Sequence, residues 1–158
     1  MANMHFNATP SLWLQTPLIF SNHLSSLLDC DVYLKLEVCA YASCLEKHIS
    51  HKPPFKTQNL QPSQSFKHRG ISYFAQRAKE SHGANVHLIV ASGGNAGLAA
   101  ASAAKQLGLK CTVFLPLAVS KNVHDLLRKD NAEVVAVGEY YLQSLHEAEK
   151  AVKLDPNA

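Results

Sequence analysis

No lysine or arginine occurs before Lys35, and nowhere in the 158 residues do like charges run beyond the single pair Arg128 and Lys129. The first absence argues against a secretory leader, which starts positive, and against an arginine-rich mitochondrial presequence. The cytosol is the expected compartment. The second absence removes the basic stripe of a nucleic-acid binder, so no nucleic-acid partner is expected. Net charge is only +3. Residues 38–58, with Lys47, Lys52, Lys56 and Glu46, carry most of that excess, which leaves the rest near neutral. Long hydrophobic runs are missing too. "LWLQTPLIF" is too short for a bilayer and is broken by Gln15, Thr16 and Pro17, so no membrane partner is expected. Cysteine is sparse: Cys30, Cys39, Cys44 and Cys111 are too scattered for a disulfide framework, and reduced thiols in an intracellular protein are expected. No internal repeat or low-complexity tract occurs.

What is present is ordinary globular composition, 47% hydrophobic and 17% charged, in a chain long enough to bury a core unaided. "TPLIFSNHLSSLL" reads as a turn followed by a short helix from Ser21, and Asp31 to Glu37 alternates as a strand. From residue 66 onward strand and helix take turns. Phe66–Lys79 reads as a helix with Ile71, Phe74, Ala75 and Ala78 on one face. "NVHLIVA" (85–91) reads as a strand fit for burial on both faces. Asn95–Leu107 is an alanine-rich helix stopped by Gly108. A strand over 111–116, a helix from Ser120 to Lys129, a strand over 132–137 and a helix from Tyr140 to Val152 complete the pattern. Such alternation predicts an α/β fold, an open parallel sheet with flanking helices and right-handed crossovers.

One stretch does not fit. Residues 38–59, "VCAYASCLEKHISHKPPFKTQN", have weak periodicity and a Pro-Pro pair. Cys39, Cys44, His48 and His51 suggest a metal, but the spacing C-x4-C-x3-H-x2-H is far tighter than a zinc finger's. Helical spacing would cluster some of these side chains, so zinc stays open beside the irregular loop. The expectation is a loop and no metal.

Two motifs carry chemistry. In "VASGGNAGLAA" (90–100) a buried strand ends at Ala91, small residues turn tightly, and a helix begins near Asn95. Free backbone N–H groups at the positive end of a helix dipole make an anion site. Gly93 and Gly94 let the backbone approach a ligand, and Ser92 and Asn95 add side-chain hydrogen bonds. The order G-G-x-x-G is not the dinucleotide fingerprint, and by itself the turn is equally a close-packed strand-to-helix joint. In "LQPSQSFKHRG" (60–70) Pro62 and Ser63 make a turn, Ser65 is the expected N-cap, and Lys67 falls in the first helical turn. The helix dipole and Arg69 both favour the neutral amine there, the form that attacks carbonyls and removes protons. Taken alone, Lys67 is equally an ordinary surface lysine.

Together, "P-S-x-S-F-K-x-R-G" and, about 25 residues later, "S-G-G-N-A-G" closely resemble the serine/threonine dehydratase family. Its members are pyridoxal 5′-phosphate (PLP) enzymes of fold type II, with the tryptophan-synthase β-subunit fold. "TPL", "VYLKLE" and "LGLKCTVFLP" extend the likeness along the chain. The resemblance implies that Lys67 holds PLP as a Schiff base and later moves the substrate's Cα proton. Phe66 would flank the pyridine ring. Ser92, Gly93, Gly94, Asn95 and Ala96 would grip the substrate carboxylate, with Asn95 also facing the PLP 3′-oxygen. Alanine at the fifth loop position leans toward L-serine dehydratase, since threonine deaminases and serine racemases usually carry histidine there. The implied reaction takes L-serine, or L-threonine, to pyruvate or 2-oxobutanoate and ammonia. Serine racemase and threonine deaminase are the alternatives within the fold. A homodimer is expected of the full-length family.

The sequence departs from that family in two ways. It ends at about half the expected length, and no second glycine-rich loop follows residues 92–97 to hold the PLP phosphate, so a fragment without catalysis is the competing expectation. On this view residues 1–37 begin the larger PLP domain, which is incomplete, and 59–158 form the smaller domain. The other departure is residues 38–58. Without them the chain reads "YLKLE-NLQPSQSFKHRG" and the family pattern runs on unbroken. Valine codons begin GT and a glutamine codon can be CAG. The piece from Val38 to Gln58 thus reads as a translated retained intron, with a genuine surface loop as the alternative.

Overall fold

Apolar, β-branched runs too short for helices alternate with longer amphipathic stretches, and each run pairs with the next across a helix. The computed structural model describes residues 11–35 and 61–158. In the first stretch, strand β1 (Leu18–Phe20) and strand β2 (Tyr33–Lys35) pair antiparallel around helix α1 (Asn22–Leu28). The Ser21 hydroxyl caps α1 by accepting the Leu24 N–H, and Asp29 closes it in the left-handed conformation, φ 52°. "TPLIF" is therefore not only a turn: Leu18–Phe20 is a strand. Both strands are exposed on all three residues. The Lys35 ammonium anchors the pair by donating to the buried Thr16 carbonyl.

The second stretch builds the body of the molecule. Helix α2 (His68–His82) leads to strand β3 (His87–Ala91), helix α3 (Asn95–Leu107), strand β4 (Lys110–Leu115), helix α4 (Lys121–Lys129), strand β5 (Glu133–Ala136) and helix α5 (Tyr141–Leu154). The three strands are parallel in the order β3-β4-β5, with Val90 opposite Val113 and Val113 opposite Val134. The expected open parallel sheet is therefore present, with a separate antiparallel pair beside it. Alternation along β4 shows how the faces divide. Val113 points at α3, where its Cγ1 would lie 3.1 Å from a Cβ on Gly97. Thr112 points at the opposite face, toward His87 and the end of α5.

The core lies between β3, β4 and the small face of α3. Leu88, Cys111, Val113 and Leu115 meet Ala100, Ala101, Ala103 and Ala104, closed by Ala75 from α2 and Leu127 from α4. Alanine at four successive contact positions brings α3 close to the sheet and gives α2 a flat surface to pack on. Gly108 ends α3 at φ 68°, the left-handed cap expected of it. The cluster Cys39, Cys44, His48 and His51 lies outside the described residues, as does all of 38–58. Among the described residues no group of three or more metal-ligating side chains occurs, and no helix is long and apolar enough to cross a membrane.

Candidate active site

Lys67 reaches its position through an unusual turn. The chain reverses at 61–64, where the Gln64 N–H donates to the Gln61 carbonyl at 2.8 Å. Gln64 itself adopts φ 54°, a left-handed conformation rare for a residue with a side chain. Helix α2 then begins two residues later than its sequence pattern suggests, at His68, and Lys67 is its N-cap. Ser65 is not that N-cap. Its hydroxyl accepts the Lys67 N–H at 3.1 Å and its carbonyl accepts the His68 N–H at 3.0 Å. A serine bonding two residues ahead offers the backbone a turn in place of the first helical residues, which delays the helix. The Lys67 side chain is exposed, and its Nζ lies 5.9 Å from the centroid of the Phe66 ring.

The second motif begins where β3 ends. Gly94 is the N-cap of α3, so Asn95 is its first helical residue, as expected. Ser92 turns inward on its own loop and accepts the Gly94 N–H at 3.3 Å. Its hydroxyl thus shapes the turn. The glycines are constrained differently. A Cβ on Gly93 would lie 2.5 Å from Val119 Cγ2, and one on Gly97 would lie 2.6 Å from the Ser92 carbonyl oxygen. Both are therefore packing requirements. Gly94 meets nothing within 4 Å. A Cβ there would stand in open space, the property wanted where a ligand must approach the backbone at the head of a helix. Asn95 is exposed, and Gly93, Gly94 and Ala96 are half-buried.

The two motifs meet through Ser65. Its hydroxyl donates to the Asn95 carbonyl at 2.9 Å, across 30 residues of chain. The N-terminal segment closes on the same turn. Gln61, 2% exposed, pairs with Leu14 in both directions, at 3.1 Å to its N–H and 2.9 Å to its carbonyl. Arg69 donates to the Leu14 carbonyl at 3.1 Å and stands 5.8 Å over the Trp13 ring. His68, fully buried, is 3.0 Å from the Leu12 carbonyl. Sequence reasoning missed Gln61, His68 and this use of Arg69, because their partners lie about 50 residues away and no local spacing marks them.

The residues present suit PLP in part. An exposed primary amine, an adjacent aromatic ring and a glycine turn open at Gly94 are the chain's own contribution. Among the described residues no second glycine-rich turn follows: Gly108 ends α3 and Gly138 precedes α5. A phosphate cradle is not among the parts these residues supply.

Comparison with known proteins gives the family and the fold. The family model of pyridoxal-phosphate dependent enzymes matches residues 39–158. Human L-serine dehydratase/L-threonine deaminase is 33% identical over 146 residues, 92% of this chain and 37% of its own. A human serine dehydratase-like protein is 41% identical over 108 residues, 68% of this chain and 32% of its own. The solved L-serine ammonia-lyase from the fungus Rhizomucor miehei superposes with a TM-score of 0.70 at 30% identity, covering 94% of this chain and 40% of that one. The matched stretches thus span about a third of the length of these curated relatives. On the strength of the family match and the shared fold, this chain belongs to the pyridoxal-phosphate dependent enzymes, with the α/β architecture of fold type II.

Proposed function

We propose that this chain serves the PLP-dependent deamination of L-serine, and of L-threonine alongside it, to pyruvate or 2-oxobutanoate and ammonia. One observation carries the reading: the turn that bears Lys67 is joined to the turn that opens at Gly94. An amine and an anion-binding helix start in one place are the minimum for holding an amino acid by its two ends.

Each residue then has a task. Lys67 would hold the cofactor, and its amine would take the proton from Cα. The N–H groups at the head of α3, with Ser92 holding the turn, receive the substrate carboxylate and fix Cα. Asn95 and Phe66 would help hold the cofactor beside Lys67. Ala96, at the fifth loop position, supports serine through the family resemblance. PLP, when bound, supplies the electron sink for the pair left on Cα. Loss of the β-hydroxyl as water and hydrolysis of the released enamine complete the balance. Residues 59–158 act here as the smaller domain, and 1–37 as the start of the larger one. The relatives' names support serine and threonine as substrates, and the cytosol is the compartment we assign.

The test is direct. The purified chain is incubated with PLP, reduced with borohydride and digested, and pyruvate release from L-serine is followed in parallel. The pyridoxyl mass is expected on the peptide containing Lys67 and absent from Lys67→Ala. Equal labelling of other lysines overturns the assignment. A second reading, a fragment that binds but does not turn over, is favoured by the single glycine-rich turn among the described residues. It predicts the pyridoxyl peptide without pyruvate.

A further inference from the structure

Ser65 has an environment that its role as a helix-start residue does not explain. It is fully buried, 0% exposed, although the residues on either side, Gln64 and Phe66, are exposed. Its single hydroxyl is used twice, donating to the Asn95 carbonyl at 2.9 Å and accepting the Lys67 N–H at 3.1 Å. A hydroxyl has one proton and two lone pairs, so it can be donor to one motif and acceptor from the other at once. The partners are both backbone groups, and they belong to the two residues whose placement matters most to the site. The bond to Asn95 falls on the first residue of α3, whose N-terminus presents the carboxylate loop. The bond from Lys67 falls on the N-cap of α2.

The preceding turn is arranged for this contact. Gln64 takes the left-handed conformation at φ 54°, and the conformational cost of that position for a residue other than glycine is borne where the hydroxyl must be aimed inward. Ser72, inside the α2 that follows, makes a useful contrast. It is equally buried, yet its hydroxyl has no hydrogen-bond partner among the described residues. Burial on α2 alone does not bring a serine into the loop.

We propose that Ser65 is a positioning residue that registers the Lys67 turn against the 92–96 loop, so that the amine and the carboxylate site hold one fixed separation. The proposal rests on the functional reading above only for its consequence toward PLP. The coupling itself belongs to the polypeptide. Removing the hydroxyl takes one hydrogen bond from each turn and frees the two turns from each other.

Amide hydrogen exchange on the full chain, read by peptide mass spectrometry, tests the coupling without cofactor. In Ser65→Ala, exchange at Lys67 and across 92–96 is expected to rise about tenfold, the loss of protection expected for one buried hydrogen bond. Ser72→Ala is expected to leave 92–96 unchanged. Borohydride-trapped PLP on Lys67 should fall by a similar factor in Ser65→Ala and recover in Ser65→Thr, which keeps the hydroxyl. A wild-type chain that traps no PLP on Lys67 refutes the functional reading, while the exchange comparison still decides the role of Ser65. If Ser65→Ala and Ser72→Ala loosen the loop alike, or if only the Lys67 amide responds, the positioning role is wrong.

Discussion

His87 and Asp155 are joined by a 2.6 Å hydrogen bond from Nδ1 to Oδ2 that ties the first residue of β3 to the end of α5. The imidazole's other nitrogen is 2.8 Å from the Thr112 hydroxyl, which itself donates to Glu133 at 2.9 Å. The His87 N–H also binds the Asn157 carbonyl at 2.7 Å. A polar line thus crosses all three strands on the sheet face opposite α3.

This line makes stability depend on acid. The hydrogen bond from His87, then that from the Asn157 N–H, holds the Asp155 carboxyl below its ordinary value, with Lys110 nearby adding in the same direction. A carboxyl depressed in the folded state stabilises it above the unfolded value of about 4, and that contribution fades as pH falls through the lower folded value. Asp155→Ala is therefore expected to lower the urea midpoint at neutral pH. The gap to wild type should narrow as pH falls below the ordinary carboxylate range, where the native carboxyl takes up its proton as well. A gap that persists there means that packing, not ionisation, accounts for it.

The loop glycines separate packing from ligand access. Gly93→Ala sets a methyl 2.5 Å from Val119 Cγ2, an overlap expected to cost about 1–3 kcal/mol. Val119→Ala in the same chain should recover much of it, because the obstacle is one side chain. Gly97→Ala meets the Ser92 backbone at 2.6 Å, and no side-chain change relieves it. Gly94→Ala meets nothing and should cost least, yet it narrows the approach to the turn and should weaken PLP trapping at Lys67. Chemical denaturation of the four variants, beside the trapping assay, checks the order.

Much of this was legible in the sequence because it rests on local rules. The Asn95–Leu107 helix and its Gly108 cap came out at the expected residues, since an alanine run between a glycine turn and a left-handed cap has few alternatives. Sheet direction followed from alternation of strand and helix. The start of α2 did not. Spacing of apolar residues extends it back to Phe66, but the Ser65 hydroxyl takes the Lys67 N–H and moves the start to His68. β1 was hidden for a similar reason, because a three-residue strand is too short to show alternation and depends on β2 for its existence. The site divides the same way. Lys67 and the 92–96 turn are written in spacing. The ties that hold them, Ser65 to Asn95 and Gln61 to Leu14, join residues far apart in the chain and leave no local signal.

Thiol chemistry gives a separate check on the core. Cys30 is exposed, whereas Cys111 is 3% exposed on the central strand. Burial pushes the Cys111 thiol up to about 12. The thiolate is the reactive form, so at pH 8 Cys111 should react about a thousandfold more slowly than an ordinary cysteine, before its inaccessibility is counted. Alkylation of the native chain followed by peptide mapping should label Cys30 promptly and Cys111 only in denaturant. Prompt labelling of Cys111 would mean that β4 does not lie where the sheet places it.

The last prediction concerns residues 38–58, which lie outside the described residues. We infer that they are a translated intron, because their removal joins "YLKLE" to "NLQPSQSFKHRG" in frame and their ends permit GT and AG. The inference fixes the third base of one codon. Gln58 must be encoded CAG, and transcripts lacking the segment should be recovered beside those that keep it. The shortened chain should then express with the same helical content, since Leu14 and Gln61 still meet through their own hydrogen bonds. A CAA codon at position 58 ends the idea at once, and a transcript pool that always carries the segment makes it a genuine insertion between β2 and the Lys67 turn.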